Sequence, residues 1–68
     1  MKWISVDEKM PESRQKVIIW GKFGLRKNYL KWGWIEGYHY GNDWYASDDD
    51  IDIYEATHWM IPDNPDKN

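Results

Sequence analysis

The chain predicts a mainly β fold: a single small domain, one antiparallel sheet or small barrel of five to six short strands around a Trp- and Tyr-rich core. Three observations lead there. Runs of β-branched and aromatic residues are separated by Gly, Pro and Asn, which is strand and turn chemistry. Between Tyr29 and Tyr40 the even positions Leu30, Trp32, Trp34, Tyr38 and Tyr40 are apolar or aromatic, with Glu36 as the one interruption, so these side chains share a face of a strand. The 68 residues contain no cysteine but six Trp, five Tyr and one Phe. A chain this short buries only about 60% of its unfolded surface, and aromatics that bury roughly 150 to 250 Å² each can supply a core without disulfides.

In order along the chain, Trp3-Ile4-Ser5-Val6 reads as a short strand and Met10-Pro11-Glu12-Ser13 as a turn, because proline fixes φ and restrains the residue before it. Lys16-Val17-Ile18-Ile19-Trp20 is the clearest strand, ended by Gly21. Gly21 to Asn28, with two glycines and three bases, has no period and reads as a loop or hairpin connection. In the alternating stretch that follows, Gly33 and Gly37 mark a bulge or bend, or divide the strand. Gly41-Asn42 between aromatic strands is a two-residue hairpin signal that sets His39 across from Trp44 and Tyr38 across from Tyr45. Ser47 to Asp52 is an acidic loop, and a last strand over Ala56 to Ile61 stops at Pro62. The domain is therefore expected over 1–62, with a polar tail over 63–68.

The formal net charge is −3, unevenly spread. Between Lys9 and Trp32 the bases Lys9, Arg14, Lys16, Lys22, Arg26, Lys27 and Lys31 face one acid, Glu12. Between Asp43 and Asp66 there are eight acids (Asp43, Asp48, Asp49, Asp50, Asp52, Glu55, Asp63, Asp66) and no base. Either strands from the two segments lie side by side and neutralise each other, or they form separate surfaces that steer an anionic ligand or acidic partner. No apolar run of 18 residues occurs, and the first five residues lead straight into charge, so neither a membrane span nor a signal peptide is expected. The expected address is the cytoplasm, a setting that the absence of cysteine suits.

Three constellations bear on chemistry. Asp48-Asp49-Asp50-Ile51-Asp52 has the opening spacing of a calcium loop, but the sixth and twelfth positions hold Ile53 and Trp59 where glycine and glutamate are needed. His39 and His58 lack the further ligands zinc requires, so no metal and no cofactor is expected. His58 with Ser5, Ser13 or Ser47 could supply a base and a nucleophile. No nucleophile elbow or phosphate loop accompanies them, and Gly21-Lys22-Phe23-Gly24 lacks the Lys-Ser/Thr ending, so no enzyme is expected. Aromatics interleaved with bases suggest ligand stacking instead. Arg26, Lys27 and Lys31 are the candidate phosphate partners, and Trp32, Trp34, Tyr38, Tyr40 and Trp44 the candidate stacking surface. Overall acidity weighs against a nucleic-acid polymer and less against a small anionic ligand, which needs only a local basic pocket.

Trp3-Ile4-Ser5-Val6, Met10-Pro11, Gln15-Lys16-Val17-Ile18-Ile19-Trp20 and the closing Thr57-His58-Trp59-Met60-Ile61-Pro62 resemble the pattern of the domain-of-unknown-function 551 family. Its members open on W-I-x-V, continue through L-P and a V-L-V-type strand, and close on T-H-W-M-P. Met10 stands here where leucine is usual, and Ile61 intervenes before Pro62. The resemblance implies a phage or prophage setting, hence the host cytoplasm, and carries no catalytic residue. It makes Trp3, Pro11, Trp20, His58, Trp59 and Pro62 the expected structural anchors. The expected function is a non-enzymatic accessory binding protein, in a counter-defence role, that captures a nucleotide-like or other anionic small ligand. The competing expectations are a protein-interaction module that occludes a host protein, homo-oligomeric or nucleic-acid-mimicking, and a structural phage protein.

Overall fold

In a computed structural model of the chain, residues 2–26 and 28–62 are described. The run Val17-Ile18-Ile19-Trp20 nucleates a strand much longer than itself: β2 covers Val17–Leu25 and is sandwiched between β3, Asn28–Tyr40, and β5, Ile51–Met60. The short strands β1, Ile4–Ser5, and β4, Asp43–Ala46, complete one antiparallel sheet in the order β1-β5-β2-β3-β4. The fold is thus all-β with five strands and, among the described residues, no helix. The sheet curls until β4 comes to lie against β5, but no ladder joins them, so it is a barrel left open on one side.

Several boundaries differ from expectation. Gly21 to Leu25 is strand, and Leu25 pairs directly with Asn28 at the start of β3. Gly21 is compatible with the strand interior because a Cβ there would run into the Glu55 carbonyl oxygen of the neighbouring strand. Close backbone approach, rather than a turn, explains that glycine. Gly33 and Gly37 neither divide nor bulge β3, which is one strand of 13 residues. The irregularities lie where β2 meets β5, between Trp20 and Gly21 and again between Lys22 and Phe23, and where β2 meets β3, between Phe23 and Leu25. The last strand begins at Ile51, five residues earlier than expected, which shortens the acidic loop to 47–50. The expected tail at 63–68 and Lys27 lie outside the described residues.

The Gly41-Asn42 hairpin forms as expected. Tyr40 pairs with Asp43, His39 with Trp44 and Tyr38 with Tyr45. Gly41 has φ +65°, and no positive φ falls on Asn42, the pattern of a II′ turn with glycine first.

The core is mainly aliphatic, which corrects the expectation of a Trp/Tyr-rich one. Val17, Ile19, Phe23, Ala46 and Trp59 are buried, and Ile4, Val6, Ile35, Trp44, Ile53 and Ala56 pack on them in part. These residues line the concave side of the sheet: Ile19 pairs with Ile35 on one flank and with Trp59 on the other. Parity then sends Ile18, Trp20 and Lys22 of β2, and Trp32, Trp34, Tyr38 and Tyr40 of β3, to the convex side. The basic and acidic segments do lie side by side, since β2 pairs with β5. Lys22 is opposite Glu55, and Arg26 approaches Asp50 at 4.0 Å.

Candidate functional site

The THWM segment of β5 joins the core to the convex face. Trp59 buries its ring in the core and donates its Nε1–H to the Lys9 carbonyl at 2.8 Å, tying the segment after β1 to the last strand. Ile4 pairs with Trp59 and Ser5 with His58, and the Val6 N–H donates to the Thr57 carbonyl at 3.0 Å. Thr57 is the extra residue at the irregularity between Trp20 and Gly21, where His58 and Ala56 are the paired positions. Its hydroxyl donates to the Trp20 carbonyl at 3.4 Å. Since that hydroxyl has one hydrogen, its oxygen accepts from His58 Nδ1–H at 3.0 Å. With Nδ1–H as that donor, a neutral His58 imidazole has its lone pair on Nε2. No buried side-chain nitrogen or oxygen among the described residues lacks a partner, so Nε2, which has none there, reaches solvent.

Beside His58 lie Trp3 and Trp20, whose rings meet edge to face at 6.2 Å and 71°. The three side chains line a surface cleft of about 320 Å³. Trp34 stands directly across from Trp20 on β3, and His58 across from it on β5, so the aromatic surface runs over three neighbouring strands to Trp3, just before β1. Further along the same face Tyr38 and Tyr45 stack at 5.4 Å, and the Arg14 guanidinium lies 4.3 Å from the Tyr40 ring centroid. Arg14 is held there with φ 65° by its N–H donating to the His39 carbonyl at 2.8 Å. Arg14, Tyr38, Tyr40 and Tyr45 line a second groove, of about 410 Å³.

The structure brings together part of the residue set expected from the sequence. Trp32, Trp34, Tyr38 and Tyr40 do share the convex face. Trp44 does not: it pairs with His39, its ring 4.8 Å from the imidazole, and packs on the concave core. Lys31 is also on the concave side, opposite Phe23 with Nζ 5.7 Å from that ring, because one residue of offset from Trp32 reverses its face. Arg26 sits at the hairpin turn beside Asp50. The expected phosphate partners are therefore parted from the expected stacking surface, and Lys27 lies outside the described residues. Arg14 and Lys22 are cations that the structure does place on the convex face, the latter between Trp32 and Glu55 in the register.

The sequence reading placed Trp20 and Trp3 among structural anchors rather than on this face, and it named Arg14 as a base and Tyr45 as the partner of Tyr38 without counting either as a candidate site residue. Period two signals Trp20, since it alternates with Val17 and Ile19. Nothing local tells which parity faces inward in a strand apolar on both faces. Among the described residues no cluster of three His, Cys, Asp or Glu could hold a metal, and the fully satisfied His58 Nδ1 belongs to a structural chain of hydrogen bonds.

The fold is a small open all-β sheet with four of its tryptophans, Trp3, Trp20, Trp32 and Trp34, exposed on the convex face. The chain belongs to the family described as protein of unknown function (DUF551), whose profile matches residues 2–66. No curated protein and no solved structure matches it.

Proposed function

We propose that the chain is a non-catalytic binding protein that holds a flat heteroaromatic ring, of the kind a nucleobase presents, against Trp3, Trp20 and His58. The observation that carries this reading is the chain of hydrogen bonds from His58 to Thr57 to the Trp20 carbonyl, which leaves Nε2 as an acceptor beside two indoles. A ring with an N–H donor satisfies Nε2 while it stacks. Glu55 across from Lys22 disfavours several phosphates, so the face suits a neutral or singly charged ligand. In a phage setting such a protein acts in the host cytoplasm by withholding a signalling nucleotide.

Stacking contributes about 1 to 3 kcal/mol per base and the hydrogen bond about 0.5 to 1.5 kcal/mol, against about 4.1 kcal/mol for a millimolar affinity, so binding is millimolar or weaker. Tryptophan emission is therefore titrated to tens of millimolar with a base, its nucleoside, and its mono- and triphosphates. Quenching is expected with all of them, the triphosphate no tighter than the nucleoside, and several-fold weaker in His58→Phe, which keeps a ring but removes the acceptor. Unchanged emission with every ring compound sinks the proposal.

A further inference from the structure

We infer that two copies of this chain pair through the free edge of β3, antiparallel, about a two-fold axis at Trp32. This inference stands independently of ring binding at the Trp3 cleft.

β3 is 13 residues long, but β4 pairs with it only from Gly37 to Tyr40. From Asn28 to Ile35 its ladder on one side is to β2, and no strand among the described residues covers the other side. Backbone direction along that edge follows from two hydrogen bonds. The Glu36 carbonyl accepts from Ser47 N–H on the β4 side, and the His39 carbonyl accepts from Arg14 N–H on the β2 side. N–H and C=O of one residue point the same way and alternate along an antiparallel strand. The register from Lys31 to Gly37 is regular, so the N–H and C=O of Trp34 and Trp32 point outward into the uncovered edge. On the convex side of this edge the side chains are apolar, with Leu30, Trp32 and Trp34 42%, 50% and 64% exposed, and the one charge between them, Lys31, lies on the concave side.

The occupant follows from self-complementarity. An isologous antiparallel pair centred on Trp32 sets Trp32 against Trp32 in a hydrogen-bonded position, Leu30 against Trp34, Lys31 against Gly33 and Tyr29 against Ile35. No like charges meet. Centring on Lys31 puts two ammonium groups in register, which is destabilising. Centring on Gly33 or beyond drives the incoming strand into β4, whose connection occupies the edge from Glu36 onward. With the axis at Trp32, the second copy's strand reaches Ile35 with Tyr29 and turns away at Asn28, before Glu36, whose carbonyl already accepts from Ser47 N–H. Its Arg26 turn then comes up to the acidic Ser47–Asp50 loop, cation to carboxylates. Such a dimer continues the sheet through both protomers and joins their convex aromatic faces.

The test uses the absence of cysteine in the chain. Light scattering on the full chain across concentrations is expected to give a dimer mass. Trp32→Cys is expected to cross-link into a disulfide dimer under mild oxidation, because residues at the axis are about 5.5 Å apart between Cα atoms. Trp34→Cys, whose copies would lie four residues apart in register, is expected to stay largely uncross-linked. A monomer at every concentration up to millimolar overturns the inference. So does a dimer that cross-links at position 34 and not at position 32, which would place the contact elsewhere. Should Trp32→Cys fail to fold, a second measurement decides on the wild-type chain: hydrogen exchange of the Trp32 and Trp34 amides, expected to slow as concentration rises and refuting the pairing if it does not change.

Discussion

Thr57, His58 and Trp59 each serve a different contact, which is why the segment reads ambiguously as sequence. Trp59 is 2% exposed and is also a hydrogen-bond donor to the Lys9 carbonyl. Trp59→Ala is expected to cost about 3 to 5 kcal/mol, comparable with the whole stability of a domain this size, about 3 to 10 kcal/mol. Loss of the cooperative urea transition is the expected result. Trp59→Phe keeps most of the packing and loses the donor, so its midpoint should fall by an amount equivalent to about 1 to 3 kcal/mol. Thr57→Val is nearly isosteric but cannot accept from His58 or donate to Trp20. It is expected to cost about 0.5 to 1.5 kcal/mol and, by freeing the imidazole tautomer, to weaken ring binding to the extent expected for His58→Phe. A Thr57→Val protein that is destabilised but binds normally would show that the relay is structural alone. The alternation Trp59 inward, His58 outward was legible in the sequence. The relay through Thr57 was not, because it depends on an extra residue in β5 opposite Trp20, which no local pattern marks.

At the scale of the strand, glycines separate into two kinds that the sequence cannot tell apart. A Cβ at Gly21 would collide with the Glu55 carbonyl oxygen and one at Gly37 with the Tyr45 carbonyl oxygen, both backbone atoms that cannot move alone. A Cβ at Gly33 would meet only Phe23 ring atoms at 3.6 and 3.7 Å, ordinary contact. Gly21→Ala is therefore expected to lose about 1 to 3 kcal/mol or more, whereas Gly33→Ala should be neutral or gain up to about 1 kcal/mol from the smaller entropy of its unfolded chain. Thermal melts of the two variants against wild type check the contrast, and equal losses would contradict the assigned register. The hairpin at Gly41-Asn42 was fully legible because turn chemistry is local: the pair itself dictates the geometry and the cross-strand partners. The extent of β2 was not, since Gly21 and Gly24 look like turn residues until the strands beside them are known.

Taken whole, the molecule distributes its tryptophans against the usual economy of small domains. Composition alone suggests that scarce apolar volume goes inside, yet Val17 and Ile19 are the fully buried side chains, while Trp3, Trp20, Trp32 and Trp34 are exposed on the convex face. This could not be read from the chain because β2 and β3 are apolar on both faces, so period two fixes which residues share a face but not which face is inside. Charge follows simpler rules. The side-by-side placement of β2 and β5 sets Lys22 opposite Glu55 and Arg26 near Asp50, both pairs at the surface, where each contributes about 0 to 1 kcal/mol. Raising salt from low to molar sodium chloride should thus leave the urea midpoint nearly unchanged. The tryptophan arrangement makes a sharper prediction. Acrylamide should quench the greater part of native emission with high accessibility, while Trp59 supplies a blue-shifted, protected component. Trp59→Phe removes that component and leaves the accessible emission in place, whereas Trp34→Phe takes away accessible emission and leaves the protected component unchanged. Uniformly protected emission in the native protein would mean that the aromatic face is covered, and monomeric mass measured on the same sample would place that cover within the chain itself.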